Sequence, residues 1–249
     1  MKKVEYIEVE KVSHLIPGDL PNKAVLDAIF LGKAFADMWV DDDTEPSMIF
    51  VNTKSLFSFA LGEISEASML KIFQEIQINS PFYLYIDKSH YSLLPVIHKK
   101  FTKMLQFKLT YPEKLNDLQS LPPGFSLKKI DDENFNRCQW YDLMVKIFGS
   151  EKDYLRYAKG YCIYNKGKIV SEAHTGYISK NMFEIATITD EKYRRKNLSS
   201  HVNASLITCA KNSGFTPIWS CEESNIASTS LAKKLGFMVD RKYSLVSLH

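Results

Sequence analysis

The chain has 249 residues, of which 45% are hydrophobic and 24% charged, and its formal net charge is +3. This composition fits a folded protein of one large or two small domains, and the scattered basic residues argue against a nucleic-acid partner. No apolar run approaches the ~20 residues of a membrane helix, and the N-terminus lacks a signal-peptide core. The four cysteines show no Cys-x-x-Cys or metal spacing, so we expect free thiols, no metal, no membrane contact and a cytoplasmic location.

The first half of the chain is predicted to mix strands and helices. Apolar spacing at Met69, Ile72, Phe73 and Ile76 indicates an amphipathic helix, and a second helix is predicted over 91–104. The predicted strands cover residues 34–40, 48–52, 56–61 and 82–86. Asp41, Asp42 and Asp43 lie between two of them, where a solvated turn is expected.

A boundary is predicted where Leu121 is followed by Pro122, Pro123 and Gly124, because prolines and glycine end regular elements. We therefore predict one domain over residues 1–121 and another over 122–249. In the second domain, a strand is predicted at 125–130, a helix at 134–148, a second helix or a turn at 154–160, and a hairpin of strands 161–164 and 169–175.

A strand at 183–189 is followed by a basic turn, Tyr193-Arg194-Arg195-Lys196-Asn197-Leu198-Ser199, which opens a helix running to about residue 212. The first amides of a helix have no intrahelical partner, and the helix dipole places partial positive charge there. Arginine is the side chain best shaped for phosphate, and two of the chain's five arginines lie in this turn. The turn is therefore either an anion cradle or a solvated basic cap.

The segment after this helix favours the cradle. A strand is predicted at 216–221, then a short helix capped by Asn225 and ended by Gly236. With its basic turn and its ending Asn-x-x-Ser…Leu-Gly-Phe, the chain resembles the GNAT N-acetyltransferases from about Pro122 to His249. The resemblance is looser in the first half. The expected fold is α/β with a mixed α+β sheet, as a tandem GNAT-like acyl-CoA N-acyltransferase whose C-terminal copy carries the acetyl-CoA site.

The resemblance implies that acetyl-CoA is a co-substrate. Its pyrophosphate would lie on the amides of 194–199 and its pantetheine arm beside 187–189, where the sheet must splay from 218–221. The implied binding residues are Thr187, Ile188, Thr189, Arg194, Arg195, Lys196, Asn197, Leu198, Ser199, Asn225 and Ser228. Three positions depart from the family's small residues: Arg195, Asn197 and Ser199. Glycine is used where φ is positive, and asparagine is the next most tolerant residue.

Two catalytic roles follow from the resemblance. A general base must accept a proton from the amine, and Glu184 on the central strand is the first candidate. A surface Glu paired with a lysine is the competing interpretation, and Glu222, Glu223 and His174 are substitutes. Many relatives use a tyrosine of the final helix as general acid, but this chain has Ala232 there. Tyr243 is therefore the candidate acid, or the thiolate leaves unassisted.

The expected acceptor is the primary amine of a small molecule, on a protein that is a monomer or homodimer. The competing hypothesis is a non-catalytic GNAT-like module that binds CoA or another protein, which the missing tyrosine and altered glycines favour. A dinucleotide-binding enzyme is excluded because no Gly-x-Gly-x-x-Gly follows a strand.

Overall fold

The chain forms two compact units in a computed structural model that describes residues 1–53, 55, 57–75, 82–94 and 100–248. One unit comprises Met1–Pro21, Phe35–Met104 and Tyr243–His249, and the other comprises Asn22–Ala34 and Leu105–Lys242. This partition differs from a single boundary between residues 121 and 122. Residues 22–34 belong to the second unit because they pack against strands from the second half of the chain.

The first unit is a sheet covered by one substantial helix. Its neighbouring strands are antiparallel except β4 and β5, which are parallel and are connected by α3. Met69 and Ile72 of α3 are fully buried on this sheet with Phe50 and Leu84. In sheet order its strands are β1 (Lys2–Val4), β2 (Ala36–Val40), β3 (Met48–Thr53), β4 (Phe57–Gly62), β5 (Phe82–Ile86) and the end of β12 (Phe237–Leu248). Its helices are α1 (Val9–Val12), α3 (Glu66–Glu75) and the 3-10 turns Ser13–Leu15 and Lys88–Leu93.

The second unit carries a mixed sheet with helices on it. In sheet order its strands are β6 (Lys100–Leu109), β11 (Thr216–Glu222), β10 (Met182–Thr189), β9 (Lys168–Ile178), β8 (Gly160–Asn165) and β7 (Phe125–Lys129). Of β6, only the part from Leu105 onward belongs to this unit. Its helices are α2 (Lys23–Phe30), α4 (Tyr141–Phe148), α5 (Glu151–Tyr157), α6 (Leu198–Asn212) and α7 (Ile226–Lys234), with 3-10 turns at Pro112–Asn116, Phe135–Arg137 and Glu191–Tyr193. Strands β7 to β10 are antiparallel, and α6 is the crossover between the parallel strands β10 and β11.

Most predicted elements are confirmed, and the helix predicted over 91–104 is wrong. Residues 88–93 form a 3-10 turn and β6 begins at Lys100. In β6, Leu105 and Phe107 alternate with more polar residues and enter the core cluster, which is the period of a strand. The helix predicted over 134–148 is shortened to α4. Helix α2 was not predicted. Leu56, Ile76 and residues 95–99, which those predictions included, lie outside the described residues.

Residues of β10 alternate between the two faces of the sheet. Phe183 and Ile185 pack in the core cluster with Leu198 and Val202 of α6. Glu184 therefore faces the opposite side, where α2 contacts β9 and β10. Among the helices that the structure describes, none is long and apolar enough to cross a membrane.

Candidate functional site

The parallel strands β10 and β11 separate part of the way along their length. Their described pairing joins Met182–Glu184 to Thr216–Ile218 and does not extend further, although β10 runs on to Thr189 and β11 to Glu222. The other edge of β10 remains paired with β9 as far as Thr189. Beyond Glu184, the edge of β10 that faces β11 therefore offers backbone amides and carbonyls to a bound group.

The turn between β10 and α6 has the backbone conformation expected of an anion-binding turn. Arg195 (φ 63°) and Asn197 (φ 64°) both adopt the left-handed conformation, at the positions where the resembling family uses glycine. The side chain of Asn197 does not cap α6; its Oδ1 instead accepts a hydrogen bond from Lys234 Nζ at 2.6 Å. In the fifteen-residue helix α6, the amide of Ser200 donates to the carbonyl of Asn197 at 3.2 Å. The amides of Leu198 and Ser199, which begin the helix, are left for another acceptor.

A cavity of about 750 Å³ lies at the open end of the two strands and at the start of α6. It is lined by ten of the eleven residues predicted to bind acetyl-CoA. The exception is Lys196, which is exposed. The ten are Thr187, Ile188, Thr189, Arg194, Arg195, Asn197, Leu198, Ser199, Asn225 and Ser228.

Several of these side chains already have structural partners. Asn225 Oδ1 accepts the amide of Ser228 at 3.0 Å and so caps α7, as predicted. Ser228 Oγ accepts a hydrogen bond from Trp219 Nε1 at 2.9 Å. Thr187 Oγ1 donates to the carbonyl of Glu172 at 2.9 Å. The side chain of Leu198 is buried in the core cluster, so its amide is what it can offer to the cavity.

The positive charge of the cavity comes from three side chains: Arg194, Arg195 and Lys234. The guanidinium of Arg194 is 58% exposed and lies 3.1 Å from Glu191 Oε1. Exposed ion pairs of this kind contribute at most about 1 kcal/mol, so Arg194 can exchange this partner for a phosphate. The cavity therefore combines cationic side chains with a helix N-terminus, which is the usual arrangement for a phosphate group.

Glu184 lies at the last paired position of β10, where the two strands separate. The residue is half-buried, and burial raises the pKa of its carboxyl to about 7, against a smaller lowering by a hydrogen bond with Ser220. A carboxyl with this pKa is half ionised near neutral pH, which suits a general base. Glu184 does not line the cavity; its side chain faces the other side of the same gap in the sheet.

The remaining catalytic candidates lie elsewhere. Tyr243 is half-buried on β12 and belongs to the first unit by its contacts. Ala232, at the place of the family's usual tyrosine, is fully buried in the core of the second unit. The half-buried Glu223 pairs with Lys242 Nζ at 2.8 Å, and Glu222 accepts from the hydroxyl of Ser224 at 3.1 Å.

His174 is part of a buried hydrogen-bonded network. Its Nδ1 lies 2.7 Å from the hydroxyl of Tyr154, and its Nε2 lies 3.3 Å from Glu172 Oε1. The Glu172 carboxylate also accepts the amides of Gln139 at 2.9 Å and Trp140 at 2.8 Å. Cys138, Glu172 and His174 offer ligand atoms within 4.8 Å of one another and could hold a metal ion. The network already satisfies the histidine and carboxylate, which makes His174 a structural residue rather than an exposed base.

Several residues that line the cavity were not predicted to do so, above all Trp219, Leu231 and Lys234. Helical spacing could have identified the last two. Ala227, Leu231 and Lys234 lie at i, i+4 and i+7 of α7, which places them on one face. Tyr193 packs edge-on against Phe125 with ring centroids 6.1 Å apart, and it also lines the cavity.

Comparison with known proteins gives one family match over most of the chain. The profile of the GNAT acetyltransferase family matches residues 21–246. A protein of Bacillus subtilis (strain 168), described as the uncharacterized N-acetyltransferase YdfB, is 25% identical over 232 residues. That match spans 89% of this chain and 87% of the relative.

Solved structures show the same fold. A GCN5-related N-acetyltransferase-like protein from Streptococcus suis 89/1591 matches with a TM-score of 0.80 and 24% identity, over 97% of this chain and 98% of that one. A tandem GNAT protein from the clavulanic acid biosynthesis pathway matches with a TM-score of 0.60 and 9% identity, over 91% and 87% of the two chains. At these identities the likeness concerns the fold.

Proposed function

Because this chain belongs to the GNAT acetyltransferase family, we propose that it transfers an acetyl group from acetyl-CoA to the primary amine of a small molecule. The observation that carries the proposal is that the basic turn and the separated strands open into one cavity. Likeness to a tandem GNAT protein supports a two-copy arrangement. The cavity, which is lined by residues between 187 and 234, supports the C-terminal copy as the one that holds acetyl-CoA. A cytoplasmic monomer or homodimer fits this proposal.

Two parts of the protein would hold acetyl-CoA: the start of α6 would bind its pyrophosphate, and the edge of β10 would bind its pantetheine arm. The pyrophosphate is placed on the amides that begin α6, between Arg194, Arg195 and Lys234, where charge-assisted hydrogen bonds are strongest. The pantetheine arm follows the edge of β10 at Thr187–Thr189 in the manner of an added strand. Lys196, which is exposed outside the cavity, contributes charge near the entrance.

The reaction is direct attack of the amine on the thioester. A carbon–nitrogen bond forms, the carbon–sulfur bond breaks, and the amine gives up one proton. Glu184 accepts that proton, directly or through one water, because its raised pKa makes the carboxylate a stronger base while about half of it is still ionised near neutrality. The amide of Ile188 or Thr189 polarises the thioester carbonyl. The thiolate takes a proton from Tyr243 or leaves as the anion.

A second candidate function is a GNAT-like module that binds CoA or a protein and has no turnover. The specific observation in its favour is that Ala232 is fully buried where relatives place the tyrosine acid. The raised pKa of Glu184 favours the catalytic proposal, because a module without turnover has no need of a half-ionised carboxyl.

A thiol-release screen tests the proposal. The protein is incubated with acetyl-CoA and an amine library of amino acids, polyamines and amino-sugar antibiotics, and free CoA thiol is measured against a no-enzyme blank. We expect release that depends on one class of amine and is lost in the double variant Arg194→Ala, Arg195→Ala. Binding of acetyl-CoA without release with any amine would favour the non-catalytic module.

A further inference from the structure

We propose that Ser220 and Asn22 are positioning residues that let the carboxyl of Glu184 be held both with and without its proton. The inference deepens the proposed function and rests on it for its catalytic meaning. It comes from a chain of hydrogen bonds that joins four segments far apart in sequence.

The series of hydrogen bonds starts at Asn22, just before α2. Asn22 is 4% exposed and adopts the left-handed conformation with φ 55° just before α2. Its amide donates to Gln106 Oε1 of β6 at 2.8 Å. Asparagine tolerates this conformation better than most residues, and the bond to the buried Gln106 holds the backbone from which the Asn22 side chain extends.

The next link crosses from Asn22 to the gap between the two strands. Ser220 Oγ of β11 donates to Asn22 Oδ1 at 2.7 Å, and Ser220 is also the side chain whose hydrogen bonding lowers the pKa of the Glu184 carboxyl. Ser220 lies two residues beyond Ile218, which is the last residue of β11 paired with β10, opposite Glu184. Ser220 therefore shares a face with Glu184 at the point where the strands separate.

A hydroxyl has one proton to donate and lone pairs to accept with. When Glu184 is protonated, it can donate to Ser220 while Ser220 donates to Asn22. When Glu184 is ionised, the Ser220 hydroxyl turns and donates to the carboxylate, and Asn22 loses that donor. Asn22 and the carboxylate thus compete for one proton, and this competition adjusts how readily the buried Glu184 ionises.

Other titratable side chains on the elements packed on this face include Lys23 and Asp27 of α2, Glu172, His174 and Tyr177 of β9, and Glu222 of β11. On the opposite face, α6 carries His201, Cys209 and Lys211. The influences that set the pKa of Glu184 are its burial and Ser220. Substitutions at Ser220, or at its partner Asn22, should therefore change this pKa.

The competition predicts shifts of opposite sign. Ser220→Ala removes the donor to the carboxylate and should raise the midpoint of Glu184 ionisation by about one pH unit. Asn22→Gly keeps the left-handed backbone but removes the competing acceptor, so the midpoint should fall. Ser220→Thr keeps the hydroxyl and should restore the wild-type midpoint. The exposed Ser224→Ala is the matched control and should leave it unchanged.

The readout is a ¹³C NMR titration of glutamate side-chain carboxyls, in which the Glu184 signal is identified by its loss in Glu184→Gln. No substrate is needed, so the result stands whether or not acetyl transfer is found. Where turnover is found, the acid limb of kcat/KM should move with the NMR midpoint. Shifts of the same sign in Ser220→Ala and Asn22→Gly, or no shift in either, would overturn the proposal. If Ser220→Ala fails to fold, Ser220→Cys, a weaker donor, should shift the midpoint upward.

Discussion

The substitution Glu184→Gln removes a titrating carboxyl with almost no change in size, and it should change stability and activity in opposite directions. Burial raises the pKa of Glu184 from 4.5 to about 7. Glu184 loses its proton at a lower pH in the unfolded chain than in the folded protein. The stability that its protonated carboxyl contributes is therefore fully present below pH 4.5 and is lost as the pH rises through about 7. The difference between the two pKa values corresponds to about 3 kcal/mol.

We therefore expect the wild-type protein to lose about 3 kcal/mol between pH 4 and pH 8 relative to Glu184→Gln. Turnover of the variant should fall by about 10²-fold or more. Its pH optimum should move upward, because the amine must then lose its proton to solvent. Below pH 7, wild-type kcat/KM should fall about tenfold per pH unit as Glu184 becomes protonated.

Urea unfolding at pH 4, 6 and 8, together with thiol release over the same range, measures both effects. The exposed Glu113→Gln is the matched control and should follow the wild type in both assays. The reasoning would be refuted by unfolding free energies of Glu184→Gln that run parallel to the wild type across this pH range. Unchanged turnover and pH profile would rule out Glu184 as the base.

Two further predictions concern the turn and the acid. Asn197→Gly and Asn197→Ala both lose the bond to Lys234, but alanine is strained at φ 64° by ~1 kcal/mol. Asn197→Ala should therefore bind acetyl-CoA about fivefold more weakly than Asn197→Gly by calorimetry, and equal affinities would contradict a left-handed requirement. Tyr243→Phe should lower turnover at least ~10²-fold if Tyr243 is the general acid, with Tyr164→Phe as control. Unchanged turnover would mean that the thiolate leaves unassisted.

The elements around the cavity could be predicted because their signals are local. The strand before the basic turn, the cap at Asn225 and the stop at Gly236 each depend on a few neighbouring residues, and the structure has all three. Gly236 has φ 92°, and a Cβ there would lie 2.0 Å from the carbonyl oxygen of Tyr111. The substitution of asparagine for glycine at 197 was tolerable for the physical reason anticipated, a left-handed backbone.

The parts that could not be predicted depend on contacts between distant segments. Ser220 and Asn22 are 198 residues apart in sequence, and no periodicity brings them together. The packing of α2 against β9 and β10 is also a contact between distant segments, which is why α2 was not predicted. Strand β6 was mistaken for a helix because its apolar residues include Phe101 and Met104, whose spacing also fits a helical turn.

The central claim is that the turn at 194–199 grips the diphosphate of acetyl-CoA, and ligand-dependent melting tests it most directly. Acetyl-CoA at a hundred times its Kd should stabilise the wild-type protein by ~2.7 kcal/mol, which is a rise of roughly 5–10 °C in Tm. We predict that Arg194→Ala with Arg195→Ala loses most of this rise, while Arg137→Ala, an exposed arginine outside the cavity, keeps it. A flat melting curve for the wild type, or a full rise in the double variant, would contradict the account.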